Sequence, residues 1–198
     1  LKQEKKLILV YPAGREAMNR DADFNALLSY IELNNTDYEV RNLNLKTTVS
    51  HNFNTTTKNV LYYFYVPDIT LLPKIRYSLS ILKQDKQPVI VGGDPALTIN
   101  AGEILSFFED INVIVREPES ERVLLNLLNN IRDKEKWENV KGITYRRTVD
   151  KKIIHTVDLP LSSNLDHLCG HGTRYNNGPY NGWYHIITSR GCNYDCQY

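Results

Sequence analysis

The sequence predicts an α/β fold, an open, doubly wound parallel sheet of five strands in the order 2-1-3-4-5. Two observations carry that expectation. Unbroken apolar runs of strand length recur at residues 7–11, 60–66 and 89–91, and Ile111 to Val115 adds a fourth interrupted only by Asn112. Continuous rather than alternating hydrophobicity marks strands buried on both faces, as in a parallel sheet. Between the runs stand segments with apolar residues at helical spacing, at connection lengths suited to right-handed crossovers. Folds of this kind bind ligands at the carboxyl ends of their strands.

The elements follow in order. Leu7-Ile-Leu-Val-Tyr11 forms the first strand, ended by Pro12-Ala13-Gly14. Phe24, Leu27, Leu28 and Ile31 then trace one helix face, with Asp21 or Asp23 as its N-cap. Tyr38 to Leu43 is the second strand, and the polar stretch Thr47 to Lys58 is a loop or a short surface helix. Val60 to Val66, rich in aromatics, is the third strand and stops at Pro67-Asp68. Ile69, Leu72, Ile75, Leu79 and Leu82 mark the next helix face.

Val89-Ile90-Val91 is the fourth strand and runs into Gly92-Gly93-Asp94-Pro95, followed by a helix to about Phe108. Strand five spans Ile111 to Val115, and a helix from near Glu119 turns Val123, Leu124, Leu127, Leu128 and Ile131 inward. After Lys136 the texture changes. Residues 142–146 and 152–155 read as a small β-hairpin, residues 158–182 as an irregular linker or ordered loop, and Trp183 to Thr188 as a new strand. The expected division is a domain over 1–136, a hairpin and linker over 137–182, and the start of a further domain over 183–198.

Lys and Arg total 24 against 23 Asp and Glu, a net charge of +1. That balance makes no electrostatic case for nucleic acid or an anionic membrane as partner. The hydrophobic share of 41% suits a folded domain rather than a disordered one. The three cysteines, Cys169, Cys192 and Cys196, all lie near the end. An odd count in that position argues against a secreted disulfide framework and points to a reducing, cytoplasmic compartment. No apolar run approaches the roughly 20 residues that span a bilayer. The sequence opens at Leu1 without Met and stops at Cys196-Gln197-Tyr198, so it reads as a piece of a longer protein.

Several familiar sites are excluded. No Gly-x-Gly-x-x-Gly follows strand one, where Pro12-Ala13-Gly14-Arg15-Glu16 stands instead, so NAD or FAD in the usual mode is not expected. A phosphorylated receiver needs acidic residues where Tyr11-Pro12 lies, and no phosphate-loop motif occurs. Gly92-Gly93 either lets the backbone approach a large flat ligand or forms a plain strand-to-helix turn with Pro95 at the first helical position. At the far end, Cys192 and Cys196 have a spacing open to metal ligation, since thiolates are the usual donors for iron–sulfur clusters. His167-Leu168-Cys169-Gly170-His171 lacks a fourth ligand nearby, and Asp133 to Lys136 is a solvated helix end.

The segment Ile187-Thr188-Ser189-Arg190-Gly191-Cys192-Asn193-Tyr194-Asp195-Cys196-Gln197-Tyr198 resembles the cluster motif of radical SAM enzymes, Cys-x-x-x-Cys-x-aromatic-Cys. The resemblance implies that Cys192 and Cys196 are two ligands of a [4Fe–4S] cluster and that Tyr198 lies beside the adenine of S-adenosylmethionine. The third ligand of the motif would fall at position 199, one past the sequence given. Upstream, Val89 to Ala96 resembles the strand-four signature of the cobalamin-binding-like domain that precedes the barrel in one subgroup of that family. Arg116 to Glu121 resembles its turn after strand five, with Arg116 and Pro118 in place of small residues. Lys141 to Tyr145 and Asn164 to Leu168 resemble its hairpin and connecting segment.

This resemblance implies a flavodoxin-like, cobalamin-binding-like domain followed by the first strand of a radical SAM barrel. It implies a cobalamin site at Pro12, Tyr65, Pro67, Gly92, Gly93, Asp94 and Glu117, with methyl transfer as the chemistry. The aromatics Tyr62 to Tyr65 either stack on a corrin edge or serve as core. Pro12 to Glu16 holds none of the cobalt-ligating histidine found in free-standing cobalamin domains. A small-molecule or peptide substrate and an electron-donor protein are the implied partners, and the piece alone is expected to be inactive. The rival reading is a non-catalytic, flavodoxin-like ligand-binding or interaction module whose terminal cysteines are accidental, told apart by whether a Cys follows at position 199. A shallow or side-chain-filled space above Gly92-Gly93 would instead mark the domain as a scaffold.

Overall fold

The computed structural model describes residues 5–35, 37–45, 60–84, 88–116, 119–131 and 133–160. Strand β1 (Lys5–Tyr11) pairs in parallel with β2 (Tyr38–Asn44) on one side and β3 (Val60–Val66) on the other. Strands β4 (Val89–Gly93) and β5 (Val113–Val115) then add in parallel, so the first five strands stand in the order 2-1-3-4-5. Every residue of β3, β4 and β5 is buried. Helices cover both faces of these strands, which is why their sequences do not alternate.

The hairpin residues continue the same sheet. Strand β6 (Ile143–Arg146) pairs antiparallel with β5, and β7 (Ile153–His155) pairs antiparallel with β6. The sheet thus has seven strands in the order 2-1-3-4-5-6-7. Helices α1 (Arg15–Arg20), α2 (Ala22–Asn34) and α6 (Ser120–Asn130) cover one face, with Met18, Phe24, Leu27, Val123 and Leu127 in its core beside Trp137. Helices α3 (Leu72–Gln84), α4 (Pro95–Ile99) and α5 (Ala101–Phe107) cover the other, with Leu72, Ile75, Leu97 and Leu105 buried there.

The helix ends show local chemistry at work. Of the two candidate caps, Asp21 is the one used: its carboxylate accepts from Phe24 N at 2.8 Å. The helix expected to run to Phe108 divides at Asn100 into α4 and α5. Asn100 leaves helical geometry (φ −103°, ψ 17°), and its side-chain amide donates to Ala96 O at 3.0 Å. Asparagine side chains compete with the backbone in this way, and the ladder breaks there. Helix α1, which apolar spacing does not predict, is six residues long and buries Met18.

Past β7 the chain is fastened at the carboxyl end of β5. The buried Arg116 donates to Thr156 O and lies 3.0 Å from the Asp158 carboxylate. Thr156 Oγ1 donates to Ile143 O and accepts from Ile143 N, so both backbone groups of Ile143 are bound at one side chain.

The carboxyl end of β4 is fixed by its two glycines. A Cβ on Gly92 would lie inside contact distance of the Tyr63 hydroxyl and 3.2 Å from Val115 Cβ, and the Tyr63 side chain is fully buried with little room to move. Gly93 has φ +129°, and a Cβ there would sit 2.5 Å from the carbonyl oxygen of Val66 on the neighbouring strand. Only glycine accommodates that conformation without strain. Gly92→Ala is therefore expected to cost about 2 kcal/mol through overpacking. Gly93→Ala is expected to cost about 3 kcal/mol through backbone strain and the Val66 clash. Urea unfolding midpoints check both; unchanged midpoints would mean that the close approaches at β4 are not what requires glycine.

Candidate functional site

The strand order reverses between β1 and β3, since the chain passes outward from β1 to β2 and then returns to β3 on the opposite side. At such a switch point the loops diverge and leave a crevice beyond the carboxyl ends. Here the crevice is a cavity of about 730 Å³ lined by Pro12, Ala13, Gly14, Glu16, Ala17, Leu45, Leu71 and Lys74. Its two walls come from the segment after β1 and from the start of α3. The small side chains of Ala13, Gly14 and Ala17 leave the space open. A cavity of this size is within the range that encloses a drug-sized ligand or one moiety of a larger one.

At the same strand ends, on the face covered by α1 and α2, lies a polar knot enclosed by aromatic rings. The Asp21 carboxylate accepts from the Tyr11 hydroxyl at 3.0 Å and from the Tyr65 hydroxyl at 3.4 Å, besides capping α2. The Tyr11 and Tyr65 rings stack at 5.9 Å, and Phe24 meets Tyr11 at 5.1 Å and Tyr65 at 5.3 Å. Burial pushes the Asp21 carboxyl above the usual carboxylate range; its hydrogen bonds to Phe24, Tyr11 and Tyr65 pull the other way without cancelling that effect. Burial and the neighbouring Asp21 charge likewise raise Tyr11. Both tyrosines are buried, so their hydroxyls serve the knot rather than the cavity.

The expected site residues fall into distinct places. Pro12 lines the cavity. Tyr65 donates to the Asp21 carboxylate. Pro67 begins the loop that leads to Leu71 and Lys74. Gly92 and Gly93 are taken up by Tyr63, Val115 and Val66, as above. The Asp94 carboxylate accepts from Ile69 N at 2.6 Å and Ala96 N at 2.7 Å, and Asp94 N donates to Val66 O at 2.7 Å. Asp94 thus ties the end of β4 to the loop after β3. Of the aromatics on β3, Tyr62, Tyr63, Phe64 and Tyr65 are all buried in the two cores, as the core reading of that strand has it. Glu117, Cys192, Cys196 and Tyr198 lie outside the described residues, as do Cys169, His167, His171 and the strand expected at 183–188.

Sequence reasoning missed Tyr11 and Asp21 as a pair and Lys74 as a wall residue. The signal for Asp21 was its cap position alone. Among the described residues, no group of three or more His, Cys, Asp and Glu is placed to hold a metal ion. None of the described helices is long and apolar enough to cross a membrane. A second, more open groove of about 960 Å³ runs along α5, between Leu72 and Pro73 of α3 and Ile153 and His155 of β7. It reaches the antiparallel edge of the sheet, and its other end shares the first turn of α3 with the switch-point cavity.

The chain is thus a doubly wound α/β fold with a crevice at the β1–β3 switch point. Known structures share that fold. The radical S-adenosylmethionine methyltransferase TsrM from Kitasatospora setae, solved with its tryptophan substrate and the SAM analogue aza-SAM, superposes with a TM-score of 0.61 at 16% identity. That match covers 78% of this chain and 30% of TsrM. TsrM with cobalamin and a [4Fe–4S] cluster gives 0.60 at 16% identity over 82% of this chain and 30% of TsrM. The cobalamin-dependent S-adenosylmethionine radical enzyme OxsB, with aqua-cobalamin bound, gives 0.59 at 13% identity over 87% of this chain and 26% of OxsB. At these identities the likeness is one of fold, to the N-terminal part of those enzymes. This chain spans less than a third of their length. No family model matches the sequence, and no curated protein does.

The raised carboxyl of Asp21 has a signed consequence for stability. A carboxyl whose folded-state pKa lies above its unfolded value adds stability that is complete below the unfolded value and lost as pH rises through the folded one. Asp21→Asn has no such titration and keeps an oxygen for the cap. The melting temperature of the wild type is therefore expected to gain on that of Asp21→Asn as pH falls from about 8 to about 4. Parallel curves would mean that Asp21 carries no raised titration.

Proposed function

We propose that this chain is the cofactor-binding N-terminal part of a radical SAM enzyme, with cobalamin held at the carboxyl ends of β1 and β3. The single observation that carries the reading is the coincidence of the cavity with the switch point of a fold shared with TsrM and OxsB. The cavity supports the fit. Its wall at Ala13, Gly14 and Ala17 is shallow enough for a bulky planar group to approach the backbone, and Pro12 and Leu71 offer apolar contact. Lys74 places a cation on the opposite wall, suited to the phosphate of a nucleotide tail. His155 on β7 is the sole histidine among the described residues, and it pairs with Thr144 on β6. Cobalt would thus take no histidine ligand from the described loops.

When bound, cobalamin supplies a transferable methyl group. The chain's own residues then bind and orient. Pro12 to Ala17 and Leu71 to Lys74 would grip one face, while Asp94 keeps the loop after β3 in register with β4. The family resemblance assigns Cys192 and Cys196 to the [4Fe–4S] cluster and Tyr198 to S-adenosylmethionine. On this reading, substrate choice and electron supply would belong to parts of the enzyme outside this chain.

One observation favours a second reading. The space beside Gly92 is filled by Tyr63 and Val115, and Gly93 is required by its own backbone. The glycine pair therefore needs no ligand to explain it, which suits a domain kept as a scaffold for interaction. Mixing the chain with hydroxocobalamin and separating it by gel filtration decides between the two. The first reading expects the corrin absorbance to co-elute at about one per chain, and Lys74→Glu to weaken it roughly tenfold. A colourless protein peak would leave the scaffold reading standing.

A further inference from the structure

We propose that the hydrogen bonds from Tyr11 and Tyr65 to Asp21 form a clasp that holds the wall of the β1–β3 cavity in its binding shape. Tyr11, Tyr65 and Asp21 are then positioning residues for a ligand that none of them touches. The inference rests on the reading of that cavity as a binding site.

The argument is one of connectivity. Tyr11 is the last residue of β1 and Asp21 the cap of α2. The residues between them contribute Pro12, Ala13, Gly14, Glu16 and Ala17, the greater part of the cavity lining. The Tyr11–Asp21 bond closes that segment into a ring, so the wall is tied at both ends by one interaction. The far end is further held by Met18 in the core and by the Asn25 amide, which donates to Asp21 O at 2.7 Å. The near end is held by Leu45 N donating to Tyr11 O at 3.0 Å. Residues 12–17, where the cavity opens, depend on the ring for their spacing.

Tyr65 brings in the opposite wall. One residue beyond it β3 ends, and the chain passes through Pro67 and Asp68 into the turn that presents Leu71 and then Lys74. Asp21 therefore joins the bases of both walls through its two oxygens, one tyrosine on each. Bonds to a carboxylate in a water-poor setting are stronger than neutral ones. The stacked rings of Tyr11 and Tyr65 keep their packing if only the hydroxyl is removed. Phenylalanine thus isolates the clasp from the core.

The test uses Tyr11→Phe, Tyr65→Phe and the double variant, with Asp21→Asn as a control that keeps an oxygen for Phe24 N. Amide hydrogen exchange is followed by mass spectrometry, and hydroxocobalamin is the binding probe. Tyr11→Phe is expected to speed exchange in residues 12–20 about tenfold while α2 and α6 stay at the wild-type rate. Hydroxocobalamin affinity is expected to fall by a similar factor, further in the double variant and less in Asp21→Asn. Exchange in residues 12–20 at the wild-type rate in both Tyr11→Phe and the double variant would overturn the clasp, whether or not the probe binds. Faster exchange with unchanged affinity would overturn its positioning role. A wild-type chain that fails to bind the probe counts against the cobalamin reading, and the exchange rates then decide the clasp alone.

Discussion

The Asp21 carboxylate stands where four parts of the chain converge: the end of β1, the end of β3, the end of α1 and the start of α2. Its oxygens serve the α2 backbone at Phe24 and two tyrosine hydroxyls that arrive from 10 and 44 residues away. Burying a charge there costs solvation, and the three donors offset part of that cost. The arrangement succeeds because the donors come from strands already fixed by the sheet. Remove the parallel pairing of β1 with β3 and no local sequence would gather them.

A second carboxylate repeats the device one strand over. Asp94 caps α4 and holds the loop after β3 through Ile69 N, so β3 is tied to β1 by Asp21 and to β4 by Asp94. The crevice at the switch point is thus framed by side-chain bonds rather than by loose loops. The glycines of β4 belong to this framing. They let β3 and β4 close on each other at Val66 and let Tyr63 pass across the sheet face. A ligand at this end would meet a rim built beforehand, which lowers the ordering cost of binding.

Much of the fold was legible because buried parallel strands write themselves as unbroken apolar runs. Val60 to Val66 and Val89 to Val91 needed no partner to be recognised, and their alternation with helices pointed to the doubly wound class, of which 2-1-3-4-5 is a common order. The docking of residues 143–155 onto β5 was not legible. The pairing of Val113 with Tyr145 is a long-range contact that no local pattern records. Helix α1 escaped because one buried residue, Met18, makes no periodicity. Asp21 was legible as a cap, since capping is local, and illegible as a clasp, since its tyrosines are remote in sequence. The proposed cluster residues Cys192 and Cys196 rest on motif spacing alone.

The central claim is that a ligand binds at the β1–β3 switch point, and nuclear magnetic resonance of the labelled chain titrated with hydroxocobalamin addresses it most directly. The account predicts that the backbone amides of Ala13, Gly14, Ala17, Leu71 and Lys74 shift together and saturate together. Shifts confined to Gly102, Ser106 and Phe107 along the α5 groove would contradict it, as would a spectrum unchanged at residues 12–17.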